Sequence, residues 1–242
     1  MLDDKNAIIT GGATGIGRAI AERFLDEGAT VVIADVDEAR GASTADELDC
    51  RFEQCDVQEY DQVTDLVDRT VEEFGGLDVM VNNAGIASET SVEEMELAEW
   101  ETVLAINLDG VMHGTKAALP HLKASGGSII NLGSIYGLVG GEGAASYSAA
   151  KGGVVNFTQQ VAIDYADQGV RVNSICPGFV ETPMTEDLLE DDRFYSFIEQ
   201  KTPMDRHGHP EEIAPLSAFL ASSEASYITG ANIPVDGGWT AF

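Results

Sequence analysis

The stretch Thr10-Gly11-Gly12-Ala13-Thr14-Gly15-Ile16-Gly17 follows a short apolar run at 7–10 and opens a segment of helical periodicity at 15–27. Glycines at such a junction let backbone N–H groups come close to a ligand, and the helix N-terminus behind them favours negative charge. In a parallel α/β fold this is where a dinucleotide pyrophosphate rests. The spacing is G-x3-G-x-G rather than G-x-G-x-x-G, and a purely structural turn also selects glycine. Position at the first strand tip therefore carries more weight than the motif.

Working outward, apolar runs at 7–10, 30–34, 51–55, 78–81, 127–132, 171–175 and 232–235 alternate with helical patterns at 15–27, 38–48, 60–74, 99–123, 148–168 and 210–222. This alternation predicts one α/β domain over 1–242: a Rossmann-like, doubly wound fold with a seven-stranded parallel sheet. Residues 182–209 break the rhythm with Pro183 and Pro203 in a mixed acidic and aromatic stretch. Their length and position suggest a substrate-binding lid.

The chain has 242 residues, 44% of them hydrophobic, and a mean hydropathy of −0.04, which excludes an intrinsically disordered polymer. Its 13 Lys+Arg against 42 Asp+Glu give a net charge of −29. Such a field repels phosphate backbones and anionic lipid, so nucleic acid and membrane surfaces are excluded as partners. Lysine is scarce (Lys5, Lys116, Lys123, Lys151 and Lys201) and carboxylate abundant, a surface resembling that of halophilic proteins. Salt at ~1 M shortens the Debye length to about 3 Å and makes this self-repulsion tolerable.

Cys50, Cys55 and Cys176 are an odd set without metal-ligand spacing and are expected to be free thiols, the first two on a strand. The first residues run straight into an apolar strand with no leader pattern, and no apolar run approaches the ~20 residues of a membrane helix. A cytoplasmic location is expected. Among four histidines, His207 and His209 pair only across Gly208, so no metal site is expected.

Asp35 closes the second apolar run, 18 residues after Gly17, near the ~20-residue interval of an acid that binds the adenosine ribose. A carboxylate there accepts bonds from both ribose hydroxyls and offers no donor to a 2′-phosphate, which favours NAD over NADP. Further on, Ser134, Tyr147 and Lys151 stand in order, with Tyr147 and Lys151 at i and i+4 on one helical face. A phenol with a pKa of ~10 is a poor acid/base at neutral pH. One cation about 5 Å away, at an effective dielectric of ~20, contributes roughly 3 kcal/mol, or about 2 pKa units.

Taken together, Thr10-Gly11-x3-Gly15-Ile16-Gly17, Asp56, Asn82-Asn83-Ala84-Gly85, Asn107, Ser134, Tyr147-x3-Lys151 and Pro177-Gly178-x3-Thr182 resemble the short-chain dehydrogenase/reductase family over nearly the whole chain. The resemblance implies NAD(P)-dependent oxidation of an alcohol or reduction of a carbonyl, usually by a homotetramer. It makes Tyr147 the acid/base and Lys151 the residue that lowers its pKa and binds the nicotinamide ribose. Ser134 would bond the substrate oxygen, and Asn107 would help hold a water in the proton relay. It also implies cofactor contacts from Gly11, Thr14, Gly15, Ile16 and Gly17, from Asp35, from Asp56 with Val57 at the adenine, and from Asn83, Ala84 and Gly85. Pro177, Val180 and Thr182 would complete the nicotinamide end. The tetramer would use the long helices at 99–123 and 148–168 and the terminus through Phe242.

The expected substrate surroundings, Ile86, Ile135, Tyr136, Glu142, Phe179, Met184, Leu188, Phe194 and Tyr195, are mainly apolar and aromatic. Family members that oxidise 3-hydroxybutyrate carry a His after the Ser and a Lys before the Tyr, where this chain has Tyr136 and Ala144. A neutral secondary alcohol, cyclic alcohol, diol or polyol fits better, with Glu142 as a candidate partner for a second hydroxyl. Two alternatives are a 3-oxoacyl-carrier-protein reductase, disfavoured by Asp35 and by Ala13-Thr14 where such enzymes keep a basic residue, and a non-catalytic NAD sensor, disfavoured by the intact Ser134, Tyr147 and Lys151.

Overall fold

The central strands read as unbroken apolar runs because both of their faces are covered. Ile9, Val31, Ile33, Val79 and Val81 enter one core with Phe24 and Ile213, whereas Ile8, Val32 and Met80 enter a second with Leu66 and Leu122. The computed structural model, which describes residues 1–241, joins β1 (Asn6–Thr10), β2 (Thr30–Asp35), β3 (Arg51–Gln54), β4 (Val79–Asn82), β5 (Ser128–Leu132), β6 (Arg171–Pro177) and β7 (Asn232–Val235) into one sheet. Every pairing is parallel and the order is 3-2-1-4-5-6-7. This is the expected single-domain Rossmann-like, doubly wound α/β fold. Phe242, placed in the expected tetramer interface, lies outside the described residues.

Helices α1 (Gly15–Asp26), α2 (Glu38–Leu48) and α3 (Tyr60–Phe74) follow the first three strands. The single helix expected at 99–123 is instead α4 (Leu97–Leu104), a π-helical turn at Ala105–Asp109 and α5 (Gly110–Ser125). The side chain of Asn107, inside that turn, holds the backbone of Ile86 by two bonds, a tie across 21 residues of sequence that periodicity does not encode. The next helix, α6 (Ala145–Tyr165), begins before residue 148, which puts Tyr147 in its first turn. The segment 182–209 holds α7 (Glu186–Glu190) and α8 (Asp192–Lys201) and leads into α9 (Pro210–Ala221), which packs on α1. Cys50 and Cys55 flank β3 rather than lying on it, and all three cysteines are free.

Strand order reverses between β1 and β4, so the connections leaving their C-terminal ends run to opposite faces of the sheet and leave a crevice. No described helix is long and apolar enough to cross a membrane.

Candidate active site

The crevice is closed at its base by side chains that the glycine motif alone does not announce. Thr10 Oγ1 accepts from the N–H groups of Asn83 and Ala84 at 3.0 and 3.2 Å. Asn83 Nδ2 in turn donates to the carbonyls of Thr10 and Gly11. The β1 and β4 loops are thereby fixed to each other, and the glycines lie bare against them. Gly11 has φ +63°, and a Cβ there would meet Ala84 Cα at 2.8 Å. Gly15, at φ +54°, leaves no more than contact distance to Thr182. Only glycine fits both places without strain.

A cleft of about 370 Å³ runs from this cradle across the strand tips. Every cofactor-contact residue expected from the sequence lines it except Gly17. A Cβ on Gly17 would lie 2.1 Å from the Gly11 carbonyl oxygen, so this glycine lets α1 pack behind the loop instead. Asp35 stands at the far end, with one carboxylate oxygen accepting from Ala13 N at 3.2 Å and the other from Asp37 N at 3.1 Å. Both oxygens keep further lone pairs for a ligand. Asp56 is steadied by the amides of Gln58. Bare backbone at a helix N-terminus, with a carboxylate at the outer end, fits an adenine dinucleotide.

At the other end Ser134, Tyr147 and Lys151 converge. Ser134 caps a short helical turn, its Oγ accepting from Tyr136 N at 3.1 Å. Lys151 is buried and donates to Leu132 O at 2.7 Å, with its Nζ 5.6 Å from the Tyr147 ring centroid. Burial lowers the Lys151 pKa to about 8. Burial also raises the Tyr147 phenol, and the Ser134 side chain partly offsets this. In the free site, then, desolvation dominates, and the lowering expected from Lys151 is not among the influences that set the phenol. Asn107 is fully buried, and its amide is taken up by Ile86 N and O at 2.8 Å each. Gly85 allows the approach, since a Cβ there would meet Asn107 Oδ1 at 2.7 Å and Lys151 Nζ at 3.7 Å.

Sequence reasoning missed a buried polar chain behind these groups. Asn82 Nδ2 donates to Thr115 Oγ1 and Asn131 Oδ1, and Asn131 Nδ2 donates to Thr158 Oγ1. It couples α5, β4, β5 and α6, and hence the helix that carries Tyr147 and Lys151, through side chains that would be costly to leave unpaired. Cys176 is a further neighbour without a sequence signal; it is buried behind Gly133, where a Cβ would reach its Sγ at 2.9 Å.

A second pocket of about 260 Å³ opens beside Ser134 and Tyr147. It is walled by Ile135, Tyr136, Phe179, Met184, Leu188 and Phe194, together with Glu89 and Glu142. Phe179 is its hub, packing edge-on against Tyr136, Phe194 and Trp239 at 6.0, 5.3 and 5.1 Å. Two expected members lie elsewhere: Ile86 lines the larger cleft, and Tyr195 packs against His207. Glu89 was not anticipated, because only the turn at Gly143 brings it opposite Tyr136.

This sheet, with its crevice at the β1/β4 reversal and Ser134, Tyr147 and Lys151 at the mouth, is that of a short-chain dehydrogenase/reductase, and the chain belongs to that family. The matching family model, described as enoyl-(acyl carrier protein) reductase, covers residues 11–240. The chain is 42% identical to meso-2,3-butanediol dehydrogenase of Serratia marcescens, over 99% of this chain and 96% of that one. It is 44% identical to the NADP-dependent (R)-specific alcohol dehydrogenase of Lentilactobacillus kefiri, over 99% and 98%. Among solved structures, that of gox2181 superposes with a TM-score of 0.97 at 35% identity, covering 100% of this chain and 97% of the other. The protein is an oxidoreductase of the nicotinamide-dependent kind that acts on CH–OH groups.

Proposed function

We propose that this protein is an NAD-dependent dehydrogenase that interconverts a neutral secondary alcohol, such as a cyclic alcohol, diol or polyol, and its ketone. The carrying observation is the charge of the substrate pocket: Glu89 and Glu142 stand in its wall, and no Arg, Lys or His does. A substrate carboxylate would meet repulsion there and find no clamp, whereas a second hydroxyl finds an acceptor in Glu142. The relative from Serratia, named for a diol, is consistent with this chemistry. Preference for NAD rests on Asp35 and on the lack of any Lys or Arg among the residues lining the cleft apart from Lys151.

The dinucleotide, when bound, supplies the hydride acceptor or donor. Tyr147 exchanges the proton on the substrate oxygen, and Ser134 bonds that oxygen as charge develops on it. Lys151 adds positive charge beside the phenol and reaches toward the ribose, while Asn107 positions the Ile86 segment against the relay. Alcohol oxidation needs Tyr147 deprotonated and carbonyl reduction needs it protonated. With the free phenol raised by burial, oxidation should quicken as pH climbs and reduction should slow.

The segment 182–209 acts as the lid. We assign a homotetramer built on α4, α5 and α6, and a surface adapted to high salt. The deciding experiment is a panel of diols, cyclic alcohols and hydroxy acids with NAD and with NADP, at low and at multimolar KCl. Expected are NADH formation from neutral diols or cyclic alcohols and activity that rises with KCl. Preferential oxidation of a hydroxy acid would overturn the substrate assignment, and a preference for NADP would overturn the role of Asp35.

A further inference from the structure

At the two ends of the 182–209 segment, just outside the lining of the cleft, Glu181, His207 and His209 bring one ligand atom each to within 4.8 Å of one another. Glu181 Oε2 lies 3.1 Å from His209 Nδ1 and 3.5 Å from His207 Nε2. Two donors bound tetrahedrally at ~2.0–2.1 Å stand about 3.4 Å apart, so both separations already suit a shared cation. We infer that Glu181, His207 and His209 form a binding site for a divalent transition metal of the zinc class, which staples the two ends of the lid together.

Two observations carry this beyond a chance meeting of polar side chains. The backbone beneath the donors is held rigidly. Gly208 N donates to Phe179 O at 2.8 Å and Glu181 N to Gly208 O at 3.0 Å, which ties the outgoing strand to the returning chain. Arg206 Nη1 donates to His207 O at 2.9 Å, while Glu212 Oε2 accepts from His209 N at 3.0 Å. Arg206 and Glu212 are themselves joined by bonds of 2.8 and 2.7 Å, so the nearest cation is already neutralised by a carboxylate.

Hydrogen bonding alone also leaves this cluster incomplete. One carboxylate oxygen faces both imidazoles, at His207 Nε2 and at His209 Nδ1. In the neutral imidazole whose proton sits on the other ring nitrogen, each of these facing nitrogens carries a lone pair that a metal can use. The ligand chemistry then selects the ion: two imidazoles and one carboxylate suit Zn²⁺, Co²⁺ or Ni²⁺, whereas Mg²⁺ and Ca²⁺ prefer all-oxygen shells. The net charge of −29 concentrates divalent cations near the surface.

Glu181 lies between Val180 and Thr182, both in the wall of the cleft. A metal here would therefore hold the lid hinge beside the nicotinamide end without touching the reacting atoms. Metal binding at this place requires no turnover and is independent of the proposed reaction.

The test uses the full chain without an affinity tag, stripped with EDTA and titrated with Co²⁺ in multimolar KCl, which screens the surface acids. Expected are visible d–d bands that saturate at one Co²⁺ per chain and vanish on adding Zn²⁺. Glu181→Gln and His209→Asn, both at largely exposed side chains, should fold normally and weaken Co²⁺ by more than the roughly 10–100-fold that loss of an outer partner costs. Saturating Zn²⁺ should also slow proteolytic cleavage within 182–209 in the wild type and not in either variant. Absence of d–d bands, or equal bands in all three proteins, would overturn the site. Cleavage indifferent to Zn²⁺ would overturn the staple.

Discussion

The two ends of the cleft are built from different materials. At the β1/β4 end the walls are backbone, shaped by Gly11 and Gly15 and locked by Thr10 and Asn83, residues at or next to two strand tips. At the substrate end the walls are side chains drawn from residues 87–89, the turn after β5, the start of α6, Phe179 and the lid. Backbone dipoles at strand tips hold a ligand part common to many reactions. Side chains from separate segments set the part that differs, and each can change without disturbing the sheet.

Changes at the shared chemistry should have the largest effect. Tyr147→Phe removes the acid/base without altering the cradle, so kcat should fall by about 10²–10⁴-fold with cofactor affinity nearly unchanged. Wild-type turnover in that variant, measured by NADH absorbance, would refute the role given to Tyr147. Gly17→Ala should act on the cradle through packing: its Cβ would be driven into the Gly11 carbonyl oxygen at 2.1 Å. A loss of about 1–3 kcal/mol in chemical denaturation is expected, together with weaker cofactor binding. Undiminished stability would mean that α1 and the loop are less tightly packed than this contact requires.

Asp35→Ala should leave the fold intact and relax selectivity for NAD over NADP by about tenfold to a hundredfold, the worth of charged hydrogen bonds of ~1.5–3 kcal/mol. The ratio of the two kcat/KM values reads this directly, and an unchanged ratio refutes the assignment. The smallest effect belongs to the variable end. Phe194→Ala removes one edge-on contact to Phe179, worth about 0.5–1.5 kcal/mol. The substrate KM should rise several-fold while kcat holds. A fall in kcat with KM unchanged would place Phe194 in the chemistry rather than in the wall.

The same contrast explains which residues were legible beforehand. Gly11, Gly15, Asp35, Ser134, Tyr147 and Lys151 stand in local patterns at strand ends or on one helical face, where chain geometry alone sets their mutual position. Gly17 was legible as part of the motif, yet its task is packing. Glu89 gave no signal, because its place in the pocket depends on the turn at Gly143 across the chain. The π-helical turn at Ala105–Asp109 was hidden for a similar reason: its lock is a pair of bonds to Ile86, remote in sequence. His207 and His209 were visible as a pair, but Glu181 joins them only through the bridge between Val180 and Gly208.

By itself the sequence determined the alternation of strands and helices, the parallel sheet, the glycine cradle and the order of the Ser134, Tyr147 and Lys151 group. Each follows from periodicity and short-range spacing, which the covalent chain transmits directly. Only the tertiary structure decided the protonation balance at Tyr147 and Lys151, the acid-bearing wall of the substrate pocket and the meeting of Glu181 with two histidines. Those depend on burial and on through-space distance, which exist only once distant segments have packed together.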